Sequence, residues 1–195
     1  KRVFVHWAAE HFDWPNMGYD DLFSVNKVLN EYDFPPLELV HFLLIELKLA
    51  RHYKGQFKIT KRGSELLANP SQLLNTLVPF YMLNIDHSAY SRGGELALGT
   101  WDVWFNILNV EAENAATELE LYEVFYGKLS DAPMAWRATS AFYRCGLRPL
   151  CWAGLLLEHR TQGSKLSDAV YLKTPLWPAW LQLDTDGIVK PAQRH

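Results

Sequence analysis

Twice in this chain a stretch that is apolar on nearly every side gives way to a pair of short alternating segments. The first opens at Pro36 and carries Leu37, Leu39, Val40, Phe42, Leu43, Leu44, Ile45, Leu47 and Leu49. Ala50-Arg51-His52-Tyr53 and Phe57-Lys58-Ile59-Thr60 then alternate across Lys54-Gly55-Gln56. Apolar residues around the whole circumference predict a helix buried on most sides, and period-two segments about a glycine predict a β-hairpin. The second stretch opens at Pro149, runs from Leu150 to Leu157 as a predicted helix, and leads into Glu158–Thr161 and Ala169–Lys173 around Gln162-Gly163-Ser164. Pro36 and Thr60 are 24 residues apart, Pro149 and Thr174 are 25 apart. An internal duplication is one reading of that match, and a coincidence of two helix–hairpin units is the other. The expected fold class is mainly α (α+β), with small two-stranded sheets.

The rest of the chain reads as helix. Asp20-Asp21 place acids at the positive end of a helix that Asp33-Phe34-Pro35-Pro36 should end. Thr60 suits the N-cap of a helix over Lys61–Ala68, and a further helix from Ser71 meets Pro79 in its interior, where a kink or break is expected. Residues 86–99 hold three glycines and little periodicity, which predicts a linker or long loop between an N-terminal unit, 1–85, and a C-terminal one, 100–195. In the second half, helices are expected from Thr100, over Glu113–Leu129, and from Asp131-Ala132-Pro133 to Gly146, the last in the order of proline at the start and glycine at the end.

Composition excludes several classes. Net charge is −3 and apolar residues make up 49% of the chain, so neither disorder nor a polycation fits. No apolar run approaches the ~18 residues of a membrane span. Two cysteines, Cys145 and Cys151, lie among apolar neighbours and read as free core residues in a reducing, cytoplasmic setting. The chain starts at Lys1 without a leader pattern, which reads as a piece of a longer protein.

Helix, buried helix, two-stranded wing, then Ile59-Thr60-Lys61-Arg62-Gly63 and a helix resembles the winged helix-turn-helix order. The segment Glu46–Leu67 resembles the wing region of many bacterial winged-helix proteins. Taken with Arg148-Pro-Leu-Cys-Trp-Ala-Gly-Leu-Leu-Leu157 and Val170-Tyr-Leu-Lys-Thr-Pro175, it is similar to the C-terminal region of a bacterial plasmid open-reading-frame-type family. The resemblance covers residues 36–68 and 147–181. It implies winged-helix-like units and a bacterial cytoplasmic home, and transfers no catalytic residue.

Lys48, Arg51, Lys54, Lys58, Lys61 and Arg62 gather six cations into residues 48–62 with no acid among them, leaving 13 basic and 22 acidic residues elsewhere. A basic wing could grip phosphates. The helix before it argues against base reading, since Leu37–Lys48 offers no Arg, Asn or Gln and carries Glu38 and Glu46. Lysines on a hairpin edge also serve to block edge pairing.

Catalytic patterns are weak. His6, Glu10 and His11 miss the zincin spacing. Asp86-His87-Ser88 are consecutive and cannot form a triad together. Arg92-Gly93-Gly94 lacks the rest of a phosphate cradle, and Asp184-Thr185-Asp186-Gly187 lacks the later calcium ligands. No catalytic residue, metal ligand or cofactor is assigned, and no enzymatic activity is expected. Eight tryptophans remain, with Trp101/Trp104 and Trp177/Trp180 each spaced i, i+3. Most should fill cores, but Trp177, Trp180 and Leu181, stiffened by two prolines, are the candidates for a partner-anchoring surface. The leading expectation is therefore a protein-interaction or scaffold region, with a protein partner or self-association and no membrane partner. The alternative is nucleic-acid binding through the wing, with Lys54, Lys58, Lys61 and Arg62 foremost. An enzyme of another class comes third.

Overall fold

The computed structural model describes residues 2–12, 14, 17–90, 99–129, 131, 134–160 and 168–189. They form two units, Lys1–Asn84 and Ile85–His195. No described helix is long and apolar enough to cross a membrane.

Unit 1 contains α1 (Arg2–His11), α2 (Tyr19–Val25), a 3₁₀ turn (Glu31–Asp33), α3 (Pro35–Glu46), β1 (Ala50–Tyr53), β2 (Gln56–Ile59), α4 (Lys61–Leu67) and α5 (Pro70–Asn84). Val5, Ala8 and Ala9 of α1 pack with Leu22, Leu29, Phe34 and Leu37, and Phe12, Trp14, Met17 and Phe23 close over this cluster. The helix expected up to Asp33 ends at Val25 instead, because Asn26 turns to extended backbone while its N–H still bonds Leu22. Pro79 does not end α5, which runs through it to Asn84.

The hairpin forms where the alternation places it, antiparallel with Ala50 opposite Ile59 and Arg51 opposite Lys58. Its junctions are tightly specified. Lys48 N–H bonds Ile45 O and Leu49 N–H bonds Leu44 O, the paired bonds of a Schellman helix end, with Lys48 at φ 57°. Thr60 closes the other side: its N–H donates to Leu49 O, its hydroxyl donates to Lys48 O, and its Oγ1 accepts from Gly63 N–H as the cap of α4. A side chain at Gly63 would place Cβ 2.1 Å from Leu49 O. The glycine lets α4 press against the helix-to-strand corner.

Unit 2 contains a 3₁₀ turn (His87–Tyr90), α6 (Trp101–Glu111), β3 (Ala116–Thr117), α7 (Glu118–Tyr126), α8 (Ala135–Phe142), a π-helical turn (Tyr143–Leu147), α9 (Arg148–Trp152), β4 (Leu156–His159), β5 (Val170–Lys173), α10 (Leu176–Trp180) and a 3₁₀ turn (Asp184–Gly187). The linker expected over 86–99 thus begins with a 3₁₀ turn, and residues 91–98 lie outside the described residues. The expected second hairpin exists, but its strand starts at Leu156, two residues earlier, and β5 pairs on its other side with β3 in the order β3-β5-β4. Its expected turn at Gln162-Gly163-Ser164 lies outside the described residues.

Three helix expectations are corrected here. The helix expected over Glu113–Leu129 begins only at Glu118 and ends at Tyr126, because Ala116–Thr117 form β3 and a Thr117/Glu120 capping box starts α7 there. Gly146 does not terminate a helix. It sits inside a continuous run from α8 to α9, where its missing side chain admits the Trp104 ring, which a Cβ would meet at 1.8 Å. The wider π turn just before Pro149 lets the helix continue past a residue with no N–H to give. Finally, the helix after Pro149 stops at Trp152 rather than Leu157. Gly154, at φ 75°, makes the same Schellman end as Lys48: Gly154 N–H bonds Cys151 O and Leu155 N–H bonds Leu150 O.

The two helix–hairpin corners therefore share a bonding plan. Leu155 matches Leu49, and Thr174 matches Thr60, since Thr174 N–H donates to Leu155 O and its hydroxyl to Gly154 O. In this register Leu43, not Pro36, is the counterpart of Pro149.

Candidate nucleic-acid interface

Every residue from Arg51 to Ile59 is exposed, although His41 of α3 touches the His52 and Phe57 rings on one face of the hairpin. Side chains alternate along a strand and cross-strand partners share a side. Arg51 and Tyr53 of β1 therefore lie on one face with Gln56 and Lys58 of β2, while His52, Phe57 and Ile59 lie on the other. On the first face Arg51, Lys54 and Lys58 surround one ring, standing 5.4, 5.4 and 5.5 Å from the Tyr53 centroid. Lys48, Lys61 and Arg62 are at the base of the hairpin, where α3 ends and α4 begins. Among the described residues only Lys61 of the six has a carboxylate partner, an exposed i,i+4 contact with Glu65 at 3.8 Å. The structure thus groups Arg51, Lys54 and Lys58 tightly and leaves Lys61 and Arg62 outside that group.

Three features of this hairpin work against its own stability. Arg51 faces Lys58 directly across the ladder, and like charges in that position repel. Lys54 is held at φ 49° beside Gly55 in the turn, where Asn or Gly is favoured. Lys48 holds the left-handed position that Gly154 fills in unit 2. Each disfavoured choice adds a positive charge to the same small element. The charges are legible in the sequence; Tyr53 as their common platform and the left-handed backbone of Lys48 and Lys54 are not. The Arg51/Tyr53/Lys58 spacing, folded in the hairpin register, was the available signal for the platform.

The helix ahead of the hairpin, α3, presents Glu38, Phe42 and Glu46 to solvent at four-residue steps, an acidic and aromatic stripe. Pro36, Leu37, Leu39 and Leu43 are buried on its other side. That exposed stripe offers no Arg, Lys, Asn or Gln to base edges, and its two carboxylates would face a polyanion.

Burial corrects one member of the expected C-terminal anchor, Trp177. Trp177 is 1% exposed, and its indole N–H donates to Asn109 Oδ1 at 3.0 Å. Asn109 is itself a hub: its Oδ1 also accepts from Lys173 Nζ, and its Nδ2 donates to Thr185 Oγ1 and Asp186 Oδ1. Trp177 is therefore a core residue of unit 2, and Trp180 and Leu181 are only partly exposed beside it.

The weak catalytic patterns resolve into local structure. His11 Nδ1 bonds Trp7 O, and the His6 ring lies against Phe23. The hydroxyl and N–H of Ser88 both donate to Asp86, while His87 is buried with its ring edge on Trp101. Asp186 accepts from Leu183 N–H and Asn109 in a 3₁₀ turn. Arg92-Gly93-Gly94 lies outside the described residues. Cys145 and Cys151 are free thiols, and burial pushes the Cys151 thiol well above its ordinary range.

Unit 2 also buries an ionisable group that the sequence did not flag. Glu118 is 0% exposed, and its Oε2 accepts from the Tyr171 hydroxyl at a long 3.4 Å, while Oε1 has no hydrogen-bond partner among the described residues. Burial raises its pKa to about 8, with the nearby Glu158 charge adding to the rise and Arg160 opposing it. Glu158 is ion-paired to Arg160, whose guanidinium lies 5.4 Å from the Tyr143 ring centre. The arrangement reads as a buried polar layer between β4, β5 and α7.

Residues 1–72 match the family described as the Y4jL N-terminal domain, and residues 91–175 match the one described as the y4jL C-terminal domain. A protein of Sinorhizobium fredii (strain NBRC 101917 / NGR234) that bears the name "Uncharacterized protein y4jL" is 38% identical over 126 residues. The alignment takes in 64% of this chain and 57% of that relative, so it spans little more than half of the relative's length. No solved structure matches the chain.

Proposed function

We propose that unit 1 is a non-catalytic, winged-helix-like module that binds nucleic-acid phosphates through the hairpin, without reading sequence. The observation that carries this reading is the accumulation of cations at positions where other residues would be more stable: Arg51 opposite Lys58, and Lys48 and Lys54 in left-handed backbone. A polyanion laid along the Tyr53 face neutralises the repulsion and turns these local costs into contacts. Tyr53 adds an aromatic surface for a base or sugar where strands are open. The acidic stripe on α3 keeps that helix away from the groove. The protein-interaction reading loses its main support with Trp177 in the core. The shared helix–hairpin bonding plan supports a duplicated architecture in which the second unit kept the corner and not the charge.

The test is fluorescence anisotropy of a labelled random-sequence duplex with the whole chain. Replacing Arg51, Lys54 and Lys58 together by Ala should abolish binding, whereas Glu38→Gln with Glu46→Gln should leave it intact or tighten it. Equal binding by the wild type and the triple variant would refute the reading.

A further inference from the structure

The hairpin face turned away from Tyr53 carries a separate arrangement. His52 and Phe57 lie opposite one another across the ladder, and His41 reaches them from α3. The Nε2 atoms of His41 and His52 are 3.1 Å apart, and the Phe57 ring centre stands 4.7 and 5.2 Å from the two imidazoles. The other ring nitrogen of His41, Nδ1, bonds the Glu31 carboxylate. An ionised carboxylate can only accept, so Nδ1 carries a hydrogen, and the neutral ring then presents its Nε2 lone pair toward His52.

We propose that His41 and His52 chelate a divalent transition-metal ion through their Nε2 atoms, with Glu31 as the outer-shell carboxylate that orients His41. Two imidazole nitrogens bound at ~2.0–2.1 Å, with an angle between 90° and tetrahedral, stand about 2.9–3.4 Å apart. The pair already has that separation. A ligating histidine normally donates its second ring N–H to a carboxylate, as His41 does here. In the metal-free chain the same two atoms share one hydrogen; on binding, the ion takes its place and His52 carries its proton on Nδ1. Arg51 and Lys58 lie on the opposite face of the hairpin, so their side chains do not crowd the ion. No group of three or more metal-ligating side chains occurs among the described residues, so the site is open, with water filling the remaining positions. Nitrogen ligands favour Zn(II), Ni(II) or Cu(II) over Mg(II) or Ca(II). Because His41 is on α3 and His52 on β1, the ion would clamp the wing to the helix.

Isothermal titration of the whole chain with ZnCl₂, and separately with NiCl₂, should show one ion per chain, and either ion should raise the thermal midpoint. His52→Gln, at an exposed position, should weaken binding at least tenfold and remove the thermal shift. His41→Gln should do the same, and Glu31→Gln should weaken binding about tenfold or more. His6→Gln and His11→Gln should bind as the wild type does. Absence of one-to-one binding, or unchanged binding by a folded His52→Gln chain, would overturn the proposal.

Discussion

If the hairpin holds its cations at the expense of stability, removing the right ones should make the protein more stable and less able to bind. Lys48 at φ 57° and Lys54 at φ 49° are the sharpest cases. An L-residue in left-handed backbone costs roughly 1–2 kcal/mol, and glycine escapes this while gaining freedom in the unfolded chain. Lys48→Gly should therefore stabilise unit 1 by about 1 kcal/mol net, and Lys54→Asn by a similar or smaller amount, since asparagine tolerates the turn. The two sites sit at opposite ends of β1, so their effects should add to within about 0.5 kcal/mol. Urea unfolding followed by circular dichroism measures the gain. Repeating it in high salt separates backbone strain, which persists, from charge repulsion, which is screened. The same variants should bind duplex DNA more weakly than the wild type. A neutral or destabilising result for both substitutions would refute the reasoning, since the left-handed conformations would then cost nothing that the cations need offset.

Glu118→Gln should change how unit 2 responds to pH. With its folded pKa at about 8 against 4.5 when unfolded, Glu118 contributes no penalty below pH 4.5, but between 4.5 and about 8 unfolding releases its proton and stability falls by up to about 1.4 kcal/mol per pH unit; the Gln variant should lose that slope and be the more stable chain at pH 9 in urea titrations. Asn109→Ala leaves the Trp177 indole N–H and the Lys173 ammonium without their Oδ1 acceptor, and should cost about 3–5 kcal/mol with a shift in tryptophan emission. Gly63→Ala places a Cβ 2.1 Å from Leu49 O and should destabilise unit 1 by roughly 1–3 kcal/mol, read as a lowered thermal midpoint.

The sequence shows most where neighbours in the chain decide the outcome. The first hairpin and the Thr60 cap follow from local alternation and a hydroxyl at the right offset; α3, expected to be buried on most sides, buries only one face and leaves Phe42 exposed. A short-range signal also lies at Thr117 and Glu120, whose capping box starts α7 at Glu118, within the helix expected over Glu113–Leu129. Other features depend on partners far away in sequence. Gly146 looks like a helix end until Trp104 is placed against it. Trp177 looks like a surface anchor until Asn109, 68 positions earlier, supplies its acceptor. Prolines make the Pro36–Pro149 match conspicuous in the sequence, but the bonds are repeated by the Leu44/Leu150, Leu49/Leu155 and Thr60/Thr174 pairs. Of the candidate interface, the six charges were legible. Their division into a group around Tyr53 and a group at the base, and the His41–His52 contact behind them, required the strand register and the packing of α3.

The most direct test of the proposed phosphate binding by the hairpin is the salt dependence of the chain's affinity for a random-sequence duplex. Each neutralised phosphate contributes about 0.9 to the slope of log affinity against log salt. The wild-type slope should be about −3 or steeper, and should become shallower by about 2 in the Arg51→Ala, Lys58→Ala double variant. A wild-type affinity that does not change with salt, or a slope that the double substitution leaves unaltered, would contradict the account.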